Sequence, residues 1–67
     1  MKRLFDAFVA RQAVSVSRFK DGESVYGCIN AIEKEDGSAG KNFIVRMHNG
    51  KSLYFRLESD ITVAVLS

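Results

Sequence analysis

The hydrophobic positions of this chain follow two different periods. Four apolar side chains recur at helical spacing within residues 2–12: Leu4, Phe5, Phe8 and Val9. After Gln12 the period becomes two, beginning with Val14 and Val16 between serines. The pattern predicts an amphipathic helix over about residues 2–12, followed by β-strands. Because a helix of three turns is unstable alone, we expect its apolar stripe to cover one end of the β-structure rather than a membrane surface.

Turn residues divide the rest of the chain into five predicted strands. These strands cover about residues 13–20, 24–34, 42–48, 51–57 and 61–66. Asp21-Gly22 predicts a tight turn, and Gly27 inside the second strand predicts a sharp bend. Short strands and tight turns indicate a mainly β fold. We therefore expect a single domain, residues 1–67, forming a small, strongly bent, five-stranded antiparallel barrel with an N-terminal α-helix.

The register of the hairpin around Asn49-Gly50 follows from the separation of apolar and polar side chains. A two-residue turn would place Arg56 beside Phe43 and so mix the two faces. A three-residue His48-Asn49-Gly50 loop, with Gly50 left-handed, separates them. We expect this second register. It puts Phe43, Val45, Met47, Leu53, Phe55 and Leu57 on one face, and Ile44, Arg46, Ser52, Tyr54 and Arg56 on the other.

Composition limits how so small a fold can be stabilised. The chain has 67 residues and a formal net charge of +2, with one cysteine and one histidine. An internal disulfide and a structural zinc site are therefore excluded, and oligomerisation is the remaining reinforcement. The last predicted strand is apolar at nearly every position, and an open edge there would be prone to aggregation. We expect it to join copies of the chain into a ring through Ile61, Val63 and Val65; closure of the sheet within one monomer is the alternative that the sequence leaves open.

The order of a helix and five strands, with Gly-x4-Gly-x-Ile in the second strand, resembles the Sm/LSm family, including the bacterial Hfq type. The residues that carry the resemblance are Gly22, Gly27, Ile29, Ile32 and Glu33, then Asn42-Phe43-Ile44-Val45, Phe55-Arg56 and the strand from Ile61 to Val65. The chain departs from the family pattern at Leu57, where the family has glycine. The resemblance is that of a divergent member, of phage or other mobile-element origin.

The resemblance implies a non-catalytic ring that binds single-stranded RNA or another nucleic acid and acts in RNA processing or regulation. By this analogy, Asn42 contacts a base edge and Arg56 stacks on a base or binds phosphate. Lys41 adds positive charge, and Tyr54 and Arg46 are further candidates. For Asn42, the competing interpretation is a strand-start residue whose side chain caps the loop. For Arg56, it is a surface ion pair with Glu58 or Asp60. For Tyr54 and Arg46, packing at a subunit boundary is the competing interpretation.

No set of residues in the sequence indicates catalysis, a metal or a cofactor. His48 is expected at a hairpin tip and Cys28 as a small buried side chain. Glu33, Glu35 and Asp36 are expected in or beside a solvated loop over residues 35–40. No apolar run approaches the roughly 20 residues of a membrane span. We expect a cytoplasmic protein of a bacterial or phage-infected cell. The alternative is an SH3-like protein-interaction barrel, such as a phage factor that acts on a host protein.

Overall fold

The computed structural model describes residues 1–37 and 40–66, which form an N-terminal helix and one antiparallel sheet. Helix α1 is Lys2–Ala10, and the strands are β1 Ala13–Arg18, β2 Ser24–Gly37, β3 Gly40–Met47, β4 Ser52–Phe55 and β5 Ile61–Val65. The sheet order is β4-β3-β2-β1-β5. A short 3₁₀ turn, Glu58–Asp60, connects β4 to β5. The mainly β class, the strand number and the N-terminal helix are confirmed.

Strand β2 changes its partner at the bend that Gly27 was predicted to mark. Its first part pairs with β1, up to Cys28 opposite Ala13, and its second part pairs with β3, from Ile29 opposite Met47. Gly27 has φ +116°, a backbone conformation that L-residues rarely adopt. A one-residue register shift follows between Ile29 and Ala31. The positive φ and the bulge together turn the strand from one part of the sheet to the other.

We expect Gly27→Ala to destabilise the fold by about 1–3 kcal/mol, because alanine is strained at this φ. Gly37→Ala is the matched control, since Gly37 also lies in β2 but does not have a positive φ. Within the described residues, a Cβ at Gly37 would contact the Gly40 carbonyl oxygen at 3.7 Å, an ordinary van der Waals distance. Urea denaturation followed by circular dichroism measures both variants. Equal losses at the two glycines would contradict a special role for Gly27.

The sheet curls without closing through backbone hydrogen bonds. In a flat sheet, β1 and β4 would lie three strand spacings apart, about 14 Å. Yet the Arg18 guanidinium in β1 donates a hydrogen bond from Nη1 to the Tyr54 carbonyl oxygen in β4 at 2.5 Å. Within the described residues, no ladder joins β4 to β5. The expected barrel is therefore an open, curled sheet whose two outer strands each keep one free edge.

The core lies between the inner face of this sheet and α1. Its most deeply buried side chains are Leu4, Val14, Val16 and Val45. The helix contributes Leu4 and Ala7, whereas Phe5 and Val9 are exposed. The prediction that Phe5 and Val9 belong to the docked stripe is therefore wrong. The stripe is centred on the side of the helix that carries Ala7, where the small side chain lets the backbone approach the sheet.

The β3–β4 hairpin has the predicted register. Phe43 lies opposite Phe55, and Val45 lies opposite Leu53. Gly50, the last residue of the three-residue loop, has φ +88°. The rings of Phe43 and Phe55 stack with centroids 5.6 Å apart. Separation of apolar from polar side chains was thus sufficient to choose between the two possible turns.

Two members of the predicted faces do not fit. Leu57 is exposed, because β4 ends at Phe55 and the 3₁₀ turn begins one residue after Leu57. Ile44 is buried although it lies on the outer face, with Glu33 and Tyr54 as its ladder neighbours.

Several predicted boundaries also differ. The helix ends at Ala10 rather than Gln12, because Arg11 adopts the left-handed conformation that terminates it. The predicted loop over residues 35–40 is largely strand, since the β2–β3 ladder continues to Gly37 opposite Gly40. The remaining loop residues, Ser38 and Ala39, lie outside the described residues, as does Ser67. The observed strands are shorter than predicted, because they leave out residues 19–20, 48, 51, 56–57 and 66.

Candidate nucleic-acid interface

Three of the five predicted site residues meet in one cleft at the β4 end of the sheet. Asn42 comes from the start of β3, Tyr54 from β4, and Arg56 from the residue after β4. The register places Asn42 opposite Arg56 if the ladder is continued by one residue. We call this the β4 cleft; it has a volume of about 330 Å³, and its lining residues are Arg18, Lys20, Asn42, Tyr54, Phe55, Arg56 and Asp60.

The β4 cleft contains two basic residues that the sequence analysis missed. Arg18 ends β1 and Lys20 follows it, so they lie far from Tyr54 in sequence and reach it only because the sheet curls. The backbone N–H of Phe19 donates to the Asp60 carbonyl oxygen at 3.0 Å, which holds this segment beside the β4–β5 connection. The available sequence signal was the basic-aromatic-basic triplet of residues 18–20, directly before the Asp21-Gly22 turn.

Lys41 lies in a neighbouring cleft rather than in the β4 cleft. This second cleft has a volume of about 540 Å³, and its lining residues are Lys41, Phe43, Arg56, Leu57 and Asp60. Arg56 and Asp60 line both clefts, so the two are continuous around the Arg56 side chain. One terminal guanidinium nitrogen of Arg56 lies 2.9 Å from where a Cβ on Gly40 would stand. The missing side chain at Gly40 therefore leaves room for the Arg56 guanidinium.

Arg46 lies on the same outer face of the sheet as Tyr54, but its guanidinium is paired with Glu33. Its Nε donates to a Glu33 carboxylate oxygen at 2.6 Å, and this hydrogen bond raises the pKa of Arg46. Arg46 does not line either cleft. Arg46 therefore lies outside both clefts, although it is close enough to Tyr54 for that side chain to contribute to the raised pKa of Arg46.

Two carboxylates close to Arg56 in sequence make contacts of their own. Asp60 accepts the backbone N–H of Leu57 at 3.0 Å, and Glu58 forms an ion pair with the N-terminal ammonium of Met1. The β4 cleft is lined by three basic side chains and one carboxylate, and one of the three, Arg18, is paired with Asp21. An excess of positive charge next to an exposed aromatic ring and an amide is an arrangement that suits single-stranded nucleic acid.

Arg18 is held by a fork of hydrogen bonds. Its Nε and Nη2 donate to the two oxygens of Asp21, at 3.0 and 2.6 Å. This pairing lowers the pKa of Asp21 to about 2, with help from the backbone N–H of Glu23, and raises the pKa of Arg18. Arg18 is therefore a fixed side chain at the wall of the cleft whose charge is paired with Asp21, whereas Lys20 is exposed.

A larger cleft at the opposite corner has a different character. It has a volume of about 620 Å³ between α1, the Gly27 bend and the β3–β4 turn, and Arg11 is the one Lys or Arg among its lining residues. His48 lies here in the turn, as predicted, and is exposed. Cys28 is partly exposed rather than buried, with its Sγ 3.9 Å from the Arg11 carbonyl oxygen. Size favours this cleft, but the concentration of charge favours the β4 cleft.

The remaining acidic residues do not form a metal site in the described part of the chain. Glu35 and Asp36 lie opposite Asn42 and Lys41 in the β2–β3 ladder, so they belong to a strand and not to the predicted loop. Across residues 1–37 and 40–66, no three His, Cys, Asp or Glu side chains come together as metal ligands. No helix in the same residues has the length and apolarity to span a membrane.

Comparison of the chain with protein-family models, with curated proteins and with solved structures finds no match.

Proposed function

We propose that this protein is a non-catalytic, Sm-like RNA-binding protein that assembles into a ring and holds single-stranded RNA or another nucleic acid in the β4 cleft. One observation carries the proposal: Arg18 and Lys20, at and after the end of β1, line the same cleft as Asn42, Tyr54 and Arg56. The setting would be RNA processing or regulation in a bacterial cytoplasm, including that of a phage-infected cell.

Each group in the β4 cleft has a distinct part in this proposal. The half-exposed ring of Tyr54 offers a flat surface on which a base can stack. The amide of Asn42 can both donate to and accept from a base edge. Arg56 and Lys20 neutralise phosphate, and the Arg56 guanidinium can also stack on a base. Lys41, in the adjoining cleft, extends the positive charge along the path of the strand.

The ring would form through the free edges of the sheet. The Leu66 N–H donates to the Ala13 carbonyl oxygen, which fixes the alternation of hydrogen bonds between β1 and β5. The backbone groups of Ile61, Val63 and Val65 therefore point away from β1. Their side chains differ: Ile61 is buried, Val63 packs partly against the core, and Val65 is exposed. Pairing β5 with β4 of a second copy would satisfy both free edges and repeat the β4 cleft around the ring.

A titration of a fluorescent single-stranded oligouridine, read by anisotropy at two salt concentrations, tests the binding proposal. We expect binding at low salt that weakens as salt rises, because phosphate contacts release counterions. A duplex DNA of the same length serves as the control and should bind more weakly, since its bases are not available for stacking. Absence of binding at low salt would contradict the proposal.

The alternative is an SH3-like barrel that binds a protein. It is favoured by three exposed apolar side chains at or near β4. Their exposed fractions are 72% for Phe19, 51% for Tyr54 and 63% for Leu57. This alternative requires neither nucleic acid nor a ring. Light scattering gives the oligomeric state and the titration gives the affinity for oligouridine. A strict monomer that does not bind oligouridine would favour the protein-interaction barrel.

A further inference from the structure

The outer edge of β4 is the surface on which a second copy of the chain would have to dock. Met47 donates its N–H to the Lys51 carbonyl oxygen, which fixes the alternation of hydrogen bonds in the β3–β4 ladder. By this alternation, the N–H and C=O groups of Ser52 and Tyr54 point away from β3. They are the groups to which an added strand would bind.

One of these edge groups is already occupied. The Tyr54 carbonyl oxygen accepts a hydrogen bond of 2.5 Å from Nη1 of Arg18. The other two nitrogens of the same guanidinium, Nε and Nη2, donate to the Asp21 carboxylate. The guanidinium is therefore fixed between Asp21 and the Tyr54 carbonyl. The Arg18 side chain is 23% exposed, and it therefore stands against the edge rather than in open solvent.

An added strand and the Arg18 fork exclude each other at this point. A paired strand lies about 4.8 Å from its neighbour in the hydrogen-bonding direction, which is where the Arg18 guanidinium now stands. Charged side chains placed over edge strands are a known means of preventing edge-to-edge association. The strand that fits is β5 of a second copy, because its own outward groups, at Ile61, Val63 and Val65, are also unpaired within the described residues.

We propose that Arg18 is a latch on the β4 edge, which must leave the Tyr54 carbonyl before β5 of a second copy can pair there. The inference rests on the ring in the proposed function and adds to it the residue that controls assembly. Release of Arg18 would also free its guanidinium beside the β4 cleft. Assembly and charge in the cleft are therefore coupled through one side chain.

Arg18→Gln tests the latch, with Arg46→Gln as its matched control. Both substitutions remove one positive charge and one ion pair from the same sheet, but Arg46 contacts no edge carbonyl in the described residues. Sedimentation velocity over a wide range of protein concentration gives the dissociation constant for assembly. Because a charged hydrogen bond no longer competes for the edge, we expect Arg18→Gln to assemble about tenfold more tightly than wild type. Arg46→Gln should change assembly less than about twofold.

Asp21→Asn is a second test of the latch, in case Arg18→Gln does not fold. This variant keeps Arg18. In wild type the Glu23 N–H donates to Asp21 at 3.2 Å, and the asparagine side-chain oxygen can still accept it. The variant removes the negative charge that holds the Arg18 guanidinium. We expect tighter assembly, in the same direction as Arg18→Gln and smaller. Circular dichroism establishes that each variant is folded.

The outcomes separate the latch from the ring. If wild type assembles but neither Arg18→Gln nor Asp21→Asn assembles more tightly, the latch is wrong and the ring stands. If wild type stays monomeric and the two variants assemble, the latch is supported and the ring is not the resting state. If no variant assembles at any concentration, both ideas are overturned.

Discussion

Arg56→Ala is expected to weaken binding of single-stranded RNA by about tenfold or more, because stacking on one base contributes about 1–3 kcal/mol. The loss would be larger in a ring, where every subunit loses the same contact. Arg56 is the basic residue that lines both the β4 cleft and the neighbouring cleft with Lys41. Removing it therefore interrupts the positive path between the two. Fluorescence anisotropy with oligouridine at low salt measures the change.

Two further variants show which property of Arg56 matters. Arg56→Lys keeps the charge and loses the plane, so it should retain phosphate binding and lose stacking. Arg46→Ala is the control, because Arg46 is held by Glu33 and lies outside both clefts. It should change affinity less than about threefold. An equal loss in Arg46→Ala and Arg56→Ala would show that overall charge, and not the cleft, governs binding.

Phe55→Ala is expected to lower the free energy of unfolding by about 3–5 kcal/mol, the usual loss for a buried phenylalanine. Phe55 is 3% exposed and stacks on Phe43 across the hairpin. A chain of this length has a total stability of roughly 3–10 kcal/mol, so the variant would be partly or wholly unfolded. Urea denaturation measures the loss, at several protein concentrations so that assembly does not mask it.

Tyr54→Ala is the matched control for Phe55→Ala, since it removes the adjacent aromatic ring from the opposite face of β4. Tyr54 is half exposed, so the expected change in stability is below about 1 kcal/mol. The other hairpin register would exchange the two faces of β4. A larger loss for Tyr54→Ala than for Phe55→Ala would therefore contradict the register.

The parts of the fold that were predictable depend on local chemistry. The register of the β3–β4 hairpin follows from Gly50 and from the separation of apolar and polar side chains. The bend in β2 follows from a glycine, Gly27, inside a strand pattern. The helical stripe was less predictable. A stripe of Leu4, Ala7 and Phe8 and a stripe that includes Phe5 and Val9 both fit the helical period. The first is hard to recognise, because alanine is only weakly hydrophobic. Only the packing of the helix against the sheet decides between the two sides.

Other features depend on long-range geometry that the sequence does not express. The β2–β3 ladder extends past Glu33 through a run of charged residues, because backbone pairing continues where no side chain needs to be buried. Asn42, Tyr54 and Arg56 could be grouped from their places on one hairpin. Arg18 could not, since its approach to Tyr54 depends on the curl of the whole sheet.

The central claim is that the β4 cleft binds single-stranded RNA, and chemical-shift mapping tests it most directly. Uniformly ¹⁵N-labelled wild-type protein would be titrated with a short oligouridine, and the amide signals followed residue by residue. We predict that the shifts concentrate at residues 18–20, 41–43 and 54–57, which surround the β4 cleft. No shifts at saturating oligonucleotide, or shifts centred on residues 27–30 and 48–49 at the opposite corner, would contradict the claim.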